Sequence, residues 1–152
     1  MKKLSFLICA FLLSVSCSEN EDANLKNVNL QVDAMKFETL TGVWNLESLV
    51  TENTLVPPSP VTVDFSLDDG SEVVYALNGI SSCNQYGGEL VALTENSISF
   101  KQLYSTDMLC SEELNTFESQ YFNVLFDTEK YSIEDGKLKL QSGNTILTFY
   151  RE

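Results

Sequence analysis

The sequence predicts an α+β fold: a strongly curved, mainly antiparallel sheet, open-barrel-like, with one amphipathic helix packed across it. Three observations carry this expectation. Short runs of alternating apolar and polar residues, joined by turn-forming residues, recur from Leu40 to Tyr150, the pattern of strands linked by hairpins. Only residues 112–126 change from that period to a helical one. Val, Ile, Thr, Tyr and Phe are plentiful, and these side chains suit a half-buried pleated surface. A lone helix late in such a meander has one apolar face to bury, which a sheet curved around it accommodates.

The chain opens on a leader. Met1-Lys2-Lys3 is a basic start, Leu4 to Val15 is almost wholly apolar, and Ser16-Cys17 follows. Residues 1–16 have the layout of a secretory signal peptide, and the apolar stretch is too short to span a bilayer. A cysteine behind a small residue at the cleavage point resembles the lipobox of bacterial lipoproteins. That resemblance implies that Cys17 becomes the N-terminus and carries acyl chains, palmitate among them. The acidic run Ser18-Glu19-Asn20-Glu21-Asp22 resembles the export signal of surface-exposed Bacteroidetes lipoproteins. The implied location is the outer membrane, lipid-anchored and facing the exterior. Residues 17–38 are polar without an apolar period and are expected to form the lipidated N-terminus and a flexible tether.

The domain is expected over residues 39–152. Val43, Trp44, Leu46 and Leu49 suggest a first strand with the chain's only Trp in the core. Pro57, Pro58 and Pro60 then fall in one loop, because proline cannot donate to a ladder. Val61, Val63, Phe65 and Leu67 alternate with Thr62, Asp64 and Ser66 in a second strand. Asp68-Asp69-Gly70-Ser71 reads as a hairpin turn. The next strand, Glu72 to Ile80, carries Val73, Tyr75 and Leu77 on one face. Gly87-Gly88 reads as a bend before Glu89 to Leu93, and Thr94-Glu95-Asn96 turns the chain into a strand with Ile98 and Phe100. Ser111 can cap the helix, Glu112 and Glu113 suit its positive end, and Leu114, Phe117, Tyr121, Val124 and Leu125 form its apolar stripe. Turns at Glu134-Asp135-Gly136 and Ser142-Gly143-Asn144 separate three closing strands.

Charge narrows the partners. Without residues 1–16 the chain loses Lys2 and Lys3 and no acid, leaving 7 basic and 22 acidic side chains, a net of −15. Phosphate backbones repel such a surface, so no nucleic acid partner is expected. The implied partners are the membrane, through the anchor, and another envelope protein.

Of four cysteines, Cys9 leaves with the leader and Cys17 is the lipidation candidate. Cys83 and Cys110 remain, an even pair in an exported chain, where oxidising conditions favour a disulfide. The alternatives are a zinc site or a nucleophile. Zinc wants four ligands, or three and water, and the chain has no histidine.

The domain as a whole resembles the META domain family of HslJ-like bacterial lipoproteins, over about residues 40–151. Leu40-Thr41-Gly42-Val43-Trp44-Asn45-Leu46 is similar to the family's opening Leu-x-Gly-x-Trp-x-Leu. Cys83-Asn84-Gln85-Tyr86-Gly87-Gly88 is similar to its Cys-Asn-x-Tyr-x-Gly motif, and Thr106-Asp107-Met108-Leu109-Cys110 to its Thr-x-Met-x-Cys segment. The helix with Glu118 and the closing hairpins follow in order. Two positions depart: Ser82 stands where glycine is common, and Asp107 where a basic residue is common. The resemblance implies an envelope-associated protein, tied in places to stress tolerance, with no established reaction.

Catalysis finds little to work with. Without histidine the Ser-His-Asp and Cys-His routes are closed, and no Ser-x-x-Lys occurs. Paired carboxylates could hydrolyse a glycoside, but 22 acids on one surface make a chance pair unremarkable. Asp64, Ser66, Asp68, Asp69 and Gly70 superficially match a calcium loop. Its glycine comes one position late and Tyr75 stands where the closing glutamate belongs. No metal and no cofactor is implied. The binding candidates are Asn84, Tyr86, Gly87 and Gly88, a polar, glycine-rich stretch beside a cysteine; the exposed loop from Leu55 to Pro60 is a candidate contact loop. The leading expectation is a non-enzymatic surface lipoprotein serving envelope integrity, stress tolerance or protein contact. The second is a small-ligand binder using the concave face of the sheet.

Overall fold

The structure, a computed structural model, describes residues 31–68 and 74–151. The leader, Cys17, the acidic run and the expected turn around Gly70 lie outside those residues.

The chain runs β1 (Gln31–Val32), α1 (Ala34–Leu40), β2 (Gly42–Val50), β3 (Thr54–Leu55), β4 (Val61–Asp68) and β5 (Val74–Ser81). It continues through β6 (Gln85–Leu93), β7 (Ile98–Ser105), α2 (Glu112–Phe126), β8 (Lys130–Glu134), β9 (Lys137–Ser142) and β10 (Thr145–Tyr150). Eight strands form one antiparallel sheet in the order β7-β6-β5-β4-β2-β10-β9-β8. The two-residue β1 adds to β6 in parallel, and β3 adds to β2.

The sheet curls until its edge strands β7 and β8 touch at one end. Ser97 bridges Lys130, Ile98 N–H donates to Glu129 O at 3.1 Å, and Tyr131 N–H donates to Asn96 O at 3.3 Å. Between those edges in the chain lies α2, which packs across the curled sheet against β5, β7, β9 and β10. This is the expected half-barrel. Its interior is filled by Trp44, Val63, Phe65, Leu77, Leu90, Leu138, Leu147 and Phe149 from the strands and by Phe117, Tyr121 and Leu125 from α2. Register shifts in β6 against β7 and in β10 against β2 mark bulges, which sharpen the curl.

The local chemistry explains the elements. Ser111 Oγ accepts from Leu114 N–H at 3.4 Å and caps α2, whose first turn carries Glu112 and Glu113. Between β8 and β9, Asp135 (φ 51°) and Gly136 (φ 73°) supply the two positive φ values of a two-residue hairpin.

Three details differ from the expectation. Residues 31–38 are not a free tether. Asp33 Oδ1 accepts from the Met35 and Lys36 N–H groups to cap α1, and Phe37 and Leu40 are buried. Trp44 Nε1–H donates to Leu40 O at 2.7 Å, and Arg151 donates to the Thr39 and Thr41 carbonyls at 3.0 and 3.2 Å. The Arg151 guanidinium also sits 4.1 Å from the centre of the Trp44 ring. Secondly, Val43 and Leu67 are about half exposed, at 52% and 51%: Val43 faces outward, and Leu67 lies near the end of β4. Thirdly, Gly87 and Gly88 are not a bend but lie inside β6, paired with Asn78 and Leu77.

Candidate functional site

Two of the three family-like motifs, Cys83 to Gly88 and Thr106 to Cys110, converge on one place, the turn between β5 and β6 and the segment before α2. Ser81 and Asn84 close that turn, with Ser81 N–H donating to Asn84 O at 2.8 Å. Within it, Ser82 has φ 79°, a conformation that favours glycine. Ser82 Oγ donates to Leu114 O on α2 at 3.1 Å, a contact glycine could not make.

Asn84 uses every polar atom of its side chain. Its Oδ1 accepts from Thr106 Oγ1 at 2.8 Å and from Met108 N–H at 2.7 Å. Its Nδ2 donates to Glu118 Oε2 at 2.8 Å and to Met108 O at 3.3 Å. Glu118 Oε1 accepts from Asn84 N–H at 2.9 Å and from Ser81 Oγ. Glu118 is 8% exposed, and its carboxylate, among the described residues, has no cationic partner. Three donors take the place of its lost water. Beside this network the sulfurs of Cys83 and Cys110 lie 1.98 Å apart, with Cα atoms 6.1 Å apart. The Cys-Asn and Thr-x-Met-x-Cys motifs are thus two halves of one staple that holds residues 106–110 against β6 and α2.

Tyr86 points inward. Its Oη donates to Thr62 O at 2.8 Å and lies 2.6 Å from Tyr121 Oη. The two rings meet edge-on at 5.8 Å, and Tyr86 meets Phe122 similarly at 5.5 Å. Burial raises the pKa of both phenols well above the ordinary tyrosine range, and for Tyr86 the neighbouring Tyr121 adds to the rise.

The glycines make room for these rings. A Cβ on Gly79 would strike Thr62 O and come within 2.6 Å of Tyr86 Cζ; one on Gly88 would meet Leu103 Cδ2 at 2.5 Å. A Cβ on Gly87 would meet Tyr104 Oη at 2.5 Å, on the outer face. Of the four binding candidates, then, Asn84 and Tyr86 are consumed by internal contacts. Gly87 and Gly88 serve close approach within the sheet.

Sequence reasoning assigns no role to Glu118 and Gly79, and it places Tyr121 in the apolar stripe of α2 without its hydroxyl partner Tyr86. A signal for Glu118 existed: it stands inside the stripe Leu114, Phe117, Tyr121, Leu125, where an acid must be partnered. No buried side-chain nitrogen or oxygen lacks a hydrogen-bond partner among the described residues. Away from the staple, Leu55, Val56 and Pro58 face Thr116, Phe117 and Gln120 of α2 across a groove of about 710 Å³. Val56 is 73% exposed there.

A half-barrel carrying this Cys-Asn staple, with a helix across it, defines a small α+β domain class. The META domain family model matches residues 38–152, and the chain belongs to the META domain family. Among solved structures it is similar to an NMR structure of a protein from Burkholderia xenovorans. That match has a TM-score of 0.65 and 24% identity, and covers 80% of this chain and 90% of that one. A second NMR structure matches with a TM-score of 0.53 and 23% identity, over 73% of this chain and 89% of the other. Both likenesses concern the fold. No curated protein matches the chain.

Proposed function

We propose that this chain is a non-enzymatic lipoprotein of the outer membrane, anchored through an acylated Cys17 and facing outward, whose META domain serves envelope integrity through contacts with other envelope components. The observation that carries the non-catalytic reading is the fate of the motif residues. Asn84, Tyr86, Glu118, Cys83 and Cys110 are all spent on holding the fold. The anchoring reading rests on Lys2-Lys3, the apolar run and Ser16-Cys17. An exposed Val56 above the groove on α2 gives a contact surface for an envelope protein.

The concave face offers a ligand little space, since core side chains line it and α2 packs across it. Replacing Cys17 with alanine should release the chain from the outer-membrane fraction, and protease added to intact cells should degrade the unaltered protein. A Cys17→Ala chain that still fractionates with the outer membrane overturns the anchor. Protection in intact cells with cleavage after lysis overturns the outward orientation.

A further inference from the structure

The outer surface of the half-barrel carries an arrangement that the fold does not require. Strand register sets Val43, Asp64, Asn78, Gly87 and Tyr104 in one row across β2, β4, β5, β6 and β7. Gly87 contributes no side chain, and the Tyr104 phenol occupies the space above it: a Cβ there would lie 2.5 Å from Oη and 2.7 Å from Cζ. The tyrosine therefore reaches over the neighbouring strand while remaining 66% exposed. A core has no use for it there.

Two hollows flank the tyrosine. One, of about 450 Å³, has Val43, Asp64, Ile80 and Gln85 in its walls. The other, of about 390 Å³, has Ser66, Asp68, Ala76, Glu89 and Gln102. Tyr104 and Asn78 line both, and both volumes fall in the range of small-ligand sites, about 300–1,000 Å³. Among the described residues, the side chains of Asp64, Asn78 and Gln85 make no hydrogen bond or ion pair within the chain.

The chemistry of these groups selects a ligand. An anion is opposed by Asp64, and Glu89 already holds Lys101 at 3.2 Å. An ammonium group only donates, so it would use Asp64 and leave the amide N–H groups of Asn78 and Gln85 idle. A hydroxyl both donates and accepts, as the two amides do. A ring with C–H groups on one face and hydroxyls around its rim matches an aromatic platform bordered by amides and by the carboxylates of Asp64, Asp68 and Glu89. We propose that this outer face binds neutral carbohydrate, with one sugar ring on Tyr104 and the adjoining rings in the hollows on either side. The anchored, non-catalytic reading bears only on where such a glycan would be met.

The test uses the full-length chain in detergent, so it does not depend on the anchor's location. Native gels are cast with a soluble α-glucan, a β-glucan or a mannan. At least one polymer should retard the chain, and free oligosaccharide of the same linkage should relieve the retardation. Tyr104→Ala should weaken binding at least about tenfold, Asn78→Ala less, and Tyr104→Phe least of all because the ring stays. Circular dichroism of each variant should match the unaltered chain, since these side chains are exposed. Retardation by none of the three polymers, or equal retardation of Tyr104→Ala, overturns the proposal. Relief by spermine and not by oligosaccharide would assign the face to a cation instead.

Discussion

The Glu118 carboxylate of α2 holds Asn84 at two points, accepting from its backbone N–H at 2.9 Å and from its side-chain Nδ2 at 2.8 Å. Neither bond is local, since 34 positions separate the two residues. A single acid thus fixes where the helix sits relative to the β5–β6 turn. Through Asn84 Oδ1 it also fixes the segment around Met108. Removing the Asn84 side chain leaves the buried carboxylate without one of its three donors and Met108 N–H without its acceptor.

Asn84→Ala should therefore destabilise the domain by about 3 kcal/mol, at the upper end for a lost hydrogen bond because one partner is a charged group. Asn84→Asp is nearly isosteric yet sets a second carboxylate against Glu118, and should cost more than the alanine. Urea unfolding followed by Trp44 fluorescence measures both. Asparagine, alanine and aspartate variants of equal stability would show that the network is incidental to the fold.

Gly79→Ala should be as damaging as a core truncation, although it adds only a methyl group. That methyl meets the Thr62 carbonyl, which is backbone and cannot swing aside, and the Tyr86 ring, which is pinned by Tyr121 and Thr62. Overpacking of this kind costs about 1–3 kcal/mol or more. An unchanged denaturation midpoint in Gly79→Ala would mean that β4 and β5 yield more easily than their pairing suggests.

How legible such features are depends on the distance over which the signal acts. β4 was readable because Val61, Val63 and Phe65 repeat with period two toward one buried face. The α2 range was readable because a capping Ser111 precedes a stripe with helical spacing. By contrast, β1 spans two residues and α1 seven, too few for any period to declare itself. Among the described residues, Phe37 and Leu40 are the buried apolar anchors of these two elements. The glycines show a different limit. Gly87 beneath Tyr104 and Gly79 beneath Tyr86 are cross-strand pairs, and a glycine that admits a ring from the next strand looks in sequence like one that turns the chain. Register separates the two, and register is a property of the assembled sheet. The staple lay between these cases: its motifs were visible, but not that Asn84 and Glu118 complete each other.

Alkaline pH should unfold the domain through Tyr86 and Tyr121. Burial raises both phenols above their ordinary value, so in the unfolded chain they ionise near pH 10 while in the fold they stay protonated. The unfolded state then binds fewer protons, and stability falls as pH rises. The contribution is fully present below about pH 10 and declines above it by about 1.4 kcal/mol per pH unit for each phenol. Tyr121→Phe should flatten that decline by one group's share. Unfolding free energies on either side of pH 10 measure the slope, and an identical slope in a Tyr86→Phe, Tyr121→Phe double variant would place the sensitivity elsewhere.

Cys83 and Cys110 close a loop of 27 residues that contains β6, β7 and the stapled segment. Cross-linking a loop of that length restricts the unfolded chain by about 3–4 kcal/mol on chain-entropy grounds. The folded domain, in contrast, has other means of holding residues 106–110, since Asn84 binds both Thr106 and Met108. The loss on reduction should therefore fall mainly on global stability and little on native structure. A Cys83→Ser, Cys110→Ser double variant should keep the circular dichroism of the unaltered chain while its denaturation midpoint drops. Adding Asn84→Ala to that variant removes the second tie and should cost more than it does with the sulfurs joined, because only the two Asn115 bonds to the backbone of residue 110, at 3.2 and 3.3 Å, then hold the segment to α2. Strict additivity of the two changes would show that the bridge and the asparagine hold different parts of the domain.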